Sequence, residues 1–574
     1  MVVWVDMHID IVPNRNSKPA ILLRESYREG KKVKKRTIAN LSFLTVEQAE
    51  AFRLILNGEK LASTDKLFEK ESSRHHGHVD AVHLSVKRLG LDKLISAKPC
   101  RKRNIIVAAI IARLCQPDSK LAMTRWWHDT TLPEMLELED VDENDIYDAM
   151  DWLLKRQKRI EKKLAKRHLK DGDMVLYDLT SSYFEGATCP LAKIGKSRDR
   201  KRNTLQVNYG LVSDKNGRPV SVSVYEGNTG DPTTLMEQVD KARTDFGIAE
   251  MVLVGDRGMI TQTQIDELKR IDGMGWVTAL KTGAIRKLVE GGAIQLDLFD
   301  ERNLFEFVHG DFPGERLVAC RNPALAHKRE HKRESMLEAT EKELTKVCAM
   351  VERGTLKGKD KIGVRVGKVV NKYKMAKHVL LHIKDNTFDF EFDQQSIANE
   401  ASLDGIYVIR TSLKKKRMSG EDAVRNYKNL TNVERAFRSL KSIDLMVRPI
   451  RHRTEDRVRA HIFLSMLAYY VQHYMLEALR PLLFADEDKI AKQTRDPVAP
   501  AKRSIKAIEK VTSKRLEDGT TVHSLRTLLY HMSTITRDTC AQKLQNAENY
   551  TFVIDTKPNP KQQRIYELCR GIKV

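Results

Sequence analysis

Apolar residues alternate over residues 2–11 and recur with a helical period between about 78 and 170. A second strand is expected over 20–26. Arg28-Glu29-Gly30-Lys31-Lys32 supplies turn residues ahead of a third expected strand, 33–38. Residues 1–60 therefore predict a small β-rich unit. From 61 to 170 the spacing is helical, with strong apolar faces over 105–114 and 146–164, and the region reads as helical and DNA-binding. Trp126-Trp127 fall between those helices as core residues, and Arg74-His75-His76-Gly77-His78 reads as a polar linker.

The pattern changes at 171. Short apolar runs at 173–180, 206–213, 219–226, 251–256 and 276–281 predict strands. Asn216-Gly217 is a tight-turn signal, and Asp231-Pro232 is suited to cap a helix over 233–246. Three consecutive strands, a helix, a strand, a helix and a strand is the order of a ribonuclease H-like (retroviral-integrase-like) core. Residues 171–281 would be its first part and 413–480 its second. Between them 282–412 predicts a β-rich insertion with one long charged helix near 323–353, and 481–574 a basic, helical C-terminal region. The expectation is a multidomain α/β protein.

Composition adds direction. Lys and Arg number 101 against 78 Asp and Glu, a formal charge of +23, which favours a polyanionic partner. The basic residues cluster at 28–36, 193–202, 414–417 and 448–459. No apolar run approaches the ~18 residues needed to cross a bilayer, and the first residues lack a signal-peptide pattern. Seven cysteines lie scattered without a CxxC pair, so a reduced, cytoplasmic chain is expected, associated with the nucleoid and with no membrane partner.

Three carboxylates stand in distinctive settings. Asp178 follows Met174-Val175-Leu176-Tyr177. Asp256 follows Met251-Val252-Leu253-Val254-Gly255. Glu434 lies within an amphipathic stretch, 427–441, read as one helix whose face carries Tyr427, Leu430, Glu434, Arg438 and Lys441, with Val433, Phe437 and Leu440 as the adjoining apolar stripe. Two acids at strand ends and one on a late helix can hold a divalent metal pair. The alternative for each Asp alone is a turn former, and for Glu434 a solvated i,i+4 partner of Arg438.

Several longer words make the resemblance specific. Tyr177-Asp178-Leu179-Thr180-Ser181-Ser182-Tyr183-Phe184-Glu185-Gly186, Glu226-Gly227-Asn228-Thr229-Gly230-Asp231-Pro232-Thr233-Thr234, Val254-Gly255-Asp256-Arg257-Gly258-Met259 and Asp404-Gly405-Ile406-Tyr407-Val408-Ile409-Arg410-Thr411 occur in that order, followed by Arg448-Pro449-Ile450-Arg451-His452-Arg453 and Arg459-Ala460-His461. The chain resembles a DDE transposase of the IS4 superfamily, most like the IS1634 family. The resemblance implies that Asp178, Asp256 and Glu434 are catalytic and metal-binding, holding two Mg²⁺ ions (or Mn²⁺), with Asp178 bridging both. It implies metal-dependent cleavage and strand transfer at the ends of an insertion sequence, with terminal inverted repeats and target DNA as partners, on a DNA-bound homodimer. Tyr427 and Lys441 fall on the family's helix signature, and Leu430 stands where its pattern has Arg. With these, Arg438, Lys193, Lys196, Arg198, Arg448 and Arg451 are the candidate DNA contacts, and Glu185 is a possible supporting acid. An inactive or domesticated DNA-binding descendant, or a nuclease of the same fold without strand transfer, are the competing readings.

Overall fold

The computed structural model describes residues 6–30, 32–59, 68–199, 201, 203–295, 298–486, 488–542 and 551–574. The start of the first expected strand, Lys31 in the first turn, and Arg200 and Arg202 of the basic loop lie outside the described residues. The chain forms two compact units, one of residues 1–74 and 536–557, the other of residues 75–535 and 558–574.

In the smaller unit, β1 (Asp6–Val12), β2 (Ala20–Glu29) and β3 (Lys32–Asn40) make an antiparallel sheet in the order β1-β2-β3. Ile9, Ile21 and Ala49 form its small core, the last from the helix Val46–Leu56, which starts at a Thr45/Gln48 capping box. The unit does not end near 60 as the pattern predicts. A further strand, β4 (Phe68–His75), belongs to a sheet whose other members come from the C-terminal end of the chain, and Ser73 donates to Asp538 at 2.7 Å. β4 reads Phe-Glu-Lys-Glu-Ser-Ser-Arg-His and is exposed at nearly every position, so it carries no apolar alternation to betray it.

The larger unit is built on a nine-stranded mixed sheet. Its members are β5 (Met174–Tyr183), β6 (Lys193–Ile194), β7 (Leu205–Asp214), β8 (Pro219–Glu226), β9 (Met251–Val254), β10 (Met274–Ala279), β11 (Leu304–Phe307), β12 (Arg316–Arg321) and, after an excursion, β15 (Ile406–Thr411). The order is β11-β12-β15-β10-β9-β5-β7-β6, with β8 also on β7. β5, β9 and β10 run parallel, and the other pairings are antiparallel. β5, β7 and β9 are buried on both faces, which explains their nearly unbroken apolar runs. Gly210 faces the Tyr177 ring across β7 and β5 so closely that a Cβ there would overlap it. The Tyr177 hydroxyl donates to Thr234 at 2.8 Å, anchoring β5 to the start of the following helix, Leu235–Thr244.

The insertion differs from expectation. Three of its strands, β11, β12 and β15, extend the main sheet, so 282–412 is not a separate β-rich unit. What stands apart is mostly helical: Pro323–Glu352, Lys359–Tyr373 and the hairpin β13 (Val379–Ile383) and β14 (Phe388–Phe392), around a core that includes Leu344, Val347, Ile362, Val366 and Phe388. Buried Arg410 of β15 donates to Glu315 at 2.6 Å through Nε, and Trp276 donates to the same carboxylate at 3.2 Å, which locks β15 into the sheet.

Helices of 75–170 and the long helix Glu455–Ala478 complete the larger unit, with Ile105–Ala112 and most of 458–475 fully buried. His76 and His78 are not linker residues. His78 is buried at the start of the helix Gly77–Arg88, with its ring 5.7 Å from that of Trp126, while Trp127 is core. The C-terminal region is mixed: it contributes β16 (Thr536–Gln542) and β17 (Thr551–Asp555) to the smaller unit, in the order β17-β16-β4.

Candidate active site

The site is set by one register. β5 and β9 are neighbouring parallel strands with Leu176 opposite Val254. Asp178 and Asp256 each follow two residues later, so the register sets them at one level of adjacent strands; Asp256 lies past the end of β9, but Asp178 stands in the middle of β5 and not at a strand end as expected. Asp256 lies just beyond β9, where its Oδ1 accepts from the amides of Gly258 (2.9 Å) and Met259 (2.7 Å). The Gly258 turn brings those amides back to the carboxylate. Asp178 accepts from the Leu179 amide at 2.8 Å. Burial, then the nearby Asp256 charge, pushes the Asp178 carboxyl up to about 7.

Glu434 comes from a different layer. Residues 427–441 are not one helix: Gly420–Lys428 ends and Leu430–Lys441 begins at Asn429. The Asn429 and Asn432 amides close tight turns there, 3.1 Å from the Asn426 carbonyl and 2.8 Å from the Asn429 carbonyl respectively. The second helix packs on β5 through its apolar stripe of Val433, Phe437 and Leu440, with the Phe437 ring 5.9 Å from Tyr209. Glu434 and Arg438 are exposed on it, whereas Leu430 is buried at 8% exposure, so Leu430 belongs to the packing surface and not to the polar strip. The half-buried Tyr427 phenol lies in the field of all three acids. Burial, then Asp256, Glu434 and Asp178, outweigh Arg257 and push it up to about 12. Among the described residues no three Asp, Glu, His or Cys side chains are gathered closely enough to hold a metal ion, so the three acids are not a closed ligand set here.

Among the described residues the basic candidates divide into exposed and engaged. Lys193, Lys196 and Arg438 are exposed. Lys441 donates at 3.0 Å to Asp199, a carboxylate only 1% exposed that also takes Arg448 and, through its other oxygen, the Tyr183 amide at 3.0 Å. Lys441 is thus tied to an acid rather than standing open on the helix face. Arg451 pairs with Glu185 at 3.0 Å. Arg198 pairs with Asp231, and both lie within electrostatic reach of Asp178 with opposite effects. Asp231 therefore serves this ion pair, with no side-chain cap on the turn Pro232–Thr234 that follows. Asp199 and Asp231 are missed by sequence reasoning, because each sits among residues that also make good turns; the run of cations around Asp199 was the one available signal.

A family model described as "Transposase DDE domain" matches residues 173–471, and one described as "IS1634 family transposase, N-terminal domain" matches residues 9–71. The chain belongs to the DDE transposases of the IS1634 family. It is a DNA transposase, an enzyme of the DDE type. The matched DDE segment runs from just before β5 into the helix Glu455–Ala478, so it spans both Asp residues, Glu434 and the helical excursion between them. Among solved structures the transposase is similar to one titled as a cryo-EM structure of piggyBac transposase synaptic complex with hairpin DNA, at a TM-score of 0.35 and 9% identity, over 79% of this chain and 77% of that one. No curated protein matches the sequence. Among the described residues, no helix of the transposase is long and apolar enough to cross a membrane.

Proposed function

We propose that Asp178, Asp256 and Glu434 are the catalytic acids of this transposase and that it cuts and joins DNA at the ends of its own insertion sequence with two bound Mg²⁺ ions. The observation that carries the reading is the parallel register of β5 and β9, which sets two hard-oxygen donors side by side in the middle of the sheet, where β9 ends. The donor chemistry fits. Burial and then the Asp256 charge hold the Asp178 carboxyl above its ordinary range, and a divalent cation held by these carboxylates would favour their ionised forms. Such ions, when bound, supply an activated nucleophile and neutralise the leaving oxygen. Mn²⁺ would serve in the same donors.

The chain's own residues do the rest. The Gly258 and Met259 amides hold one Asp256 oxygen and leave the other for a ligand. Glu434, exposed on its helix, approaches from the opposite layer as that helix and DNA come together. Tyr427, kept protonated at neutral pH, donates to a phosphate beside the acids. Arg438, Lys193 and Lys196 are open to backbone phosphates, and Lys441, Arg448, Arg451 and Arg198 reach them by exchanging Asp199, Glu185 and Asp231 for DNA. The sheet, with antiparallel β5, β7 and β8 followed by parallel β9 and β10, supports a ribonuclease H-like core. We place the family within the IS4 superfamily, and the enzyme acts on DNA as a homodimer at the nucleoid, since two ends must be held together.

The test is strand transfer by the full chain with an end-containing duplex and Mg²⁺. Cleavage with joining supports the reading. Cleavage without joining makes it a nuclease, and binding without cleavage an inactive descendant.

A further inference from the structure

The helical layer contains a charge arrangement that cutting and joining do not use. Arg113, on the helix Arg101–Cys115, is 2% exposed. Its Nη1 donates to the carbonyls of Leu445 (3.2 Å) and Met446 (3.3 Å), its Nη2 lies 3.4 Å from His461 Nδ1, and its buried Nε has no partner. Lys120, the first residue of the helix Lys120–His128, is 3% exposed and has neither a hydrogen bond nor a carboxylate partner among the described residues. The His452 ring is half-buried, 4.9 Å from His461 and edge-on to Tyr147, whose ring also carries the Arg457 guanidinium at 4.6 Å. Among the described residues, the one acid in electrostatic reach of Arg113 is Asp118, which is exposed.

The hydrogen bonds define which groups remain open. His461 Nε2 is 3.0 Å from the Val447 carbonyl and must carry the proton there. Its Nδ1 is then an acceptor, and Arg113 Nη2 is the donor to it. His461 is a positioning residue that aims Arg113. The donors left over are Lys120 Nζ, Arg113 Nε and the His452 ring, from the first turn of one helix, the last turn of another and the loop 445–452, and the three residues lie within electrostatic reach of one another. Burying cations without an anion costs several kcal/mol per ion, and burial together with the neighbouring cations depresses the proton affinity of Lys120, His452 and His461 alike.

We propose that Arg113, Lys120 and His452 form a binding site for a phosphate-class oxyanion, entered past the half-buried His452. Its occupancy would fix the segment 445–452, which also carries Arg448 and Arg451. The site is independent of the three-acid assignment and stands or falls separately from it. The phosphate is either a free anion or part of a DNA strand, and the two sources are separable.

The full chain is melted in sodium chloride and in inorganic phosphate at matched ionic strength, with tryptophan emission as the signal, and Lys120→Met and His452→Phe are compared with the parent. The parent's midpoint should rise by several degrees, saturating with phosphate, beyond the generic salting effect. Both variants should lose the saturating increment while folding to the parent's circular dichroism spectrum. No saturating increment in the parent overturns the proposal, as does an undiminished increment in both variants; if one variant fails to fold, the other decides. A duplex of insertion-end sequence is the second probe. If the salt dependence of its binding falls by about one unit in Lys120→Met, the phosphate belongs to DNA. An unchanged salt dependence with a lost inorganic-phosphate increment assigns a free anion.

Discussion

Replacing Asp199 by Asn tests how the basic loop after β5 is held beside the candidate active site. Asp199 is 1% exposed, and its carboxylate takes Lys441 (10% exposed), Arg448 (31%) and the Tyr183 amide. Breaking a buried ion pair from one side costs about 3–5 kcal/mol, because the other charge stays buried. Arg448 is near the surface and retains solvent, so its share is discounted, and Asn can still accept from the Tyr183 amide. The expected cost is about 2–3 kcal/mol, carried mainly by Lys441. Lys441→Met removes the cation that Asp199→Asn would strand. The double variant should therefore be less destabilised than the sum of the singles by about 1–2 kcal/mol. Urea unfolding read by tryptophan emission is suited to the measurement, since four of the five tryptophans, at 126, 127, 152 and 276, lie in the larger unit. Additive singles, or an Asp199→Asn cost below about 0.5 kcal/mol, would refute the claim that this carboxylate is the buried counter-charge of Lys441.

Other outcomes follow from the same structure. Leu430→Arg, which restores the residue of the family pattern, should destabilise the protein by about 2–4 kcal/mol because position 430 is buried; improved cleavage with unchanged stability would show that the side chain can reach the DNA face. Acid should weaken the larger unit. Burial holds His78 and His452 at about 3, below the ordinary value of 6.5, so the unfolded chain binds protons below pH 6.5 that the folded chain refuses. Stability is full above 6.5 and falls with pH until about 3, by about 2 kcal/mol at pH 5 for His78. A flat urea midpoint between pH 7 and 5 would contradict this, and His78→Phe should reduce the slope. Lys441→Ala should lower the cleavage rate more than DNA affinity; an enzyme with normal cleavage and normal salt dependence would leave Lys441 with Asp199 alone.

The sequence made the centre of the larger unit legible because buried strands flanked by helices must be apolar on both faces. The runs before Asp178 and Asp256 read as buried strands, the order of elements made them neighbours, and Val433, Phe437 and Leu440 betrayed the face that docks the Glu434 helix. Elsewhere the signal was absent or ambiguous. β4 is solvent-exposed and its partners lie at the other end of the chain, so neither alternation nor proximity announced it. β11, β12 and β15 look like any short strands; that they extend the main sheet depends on pairings such as Val318 with Ile409, which span 91 positions and leave no local trace. The break at Asn429 keeps helical dihedrals, so the amphipathic period runs through it undisturbed. Asp199 was hidden by its cationic neighbours, which suggested a solvent-facing DNA loop although its carboxylate turns inward.

The central claim is that Asp178 and Asp256 together form the metal-dependent cutting centre of this transposase. The most direct measurement compares the full chain with Asp178→Asn, Asp256→Asn and Glu434→Gln for Mg²⁺-dependent cleavage of an end-containing duplex, with affinity for the same duplex measured in parallel. Cleavage should be abolished in all three while affinity changes by less than about threefold, because the cations that hold the backbone are untouched. Cleavage that survives in Asp178→Asn or Asp256→Asn would contradict the account.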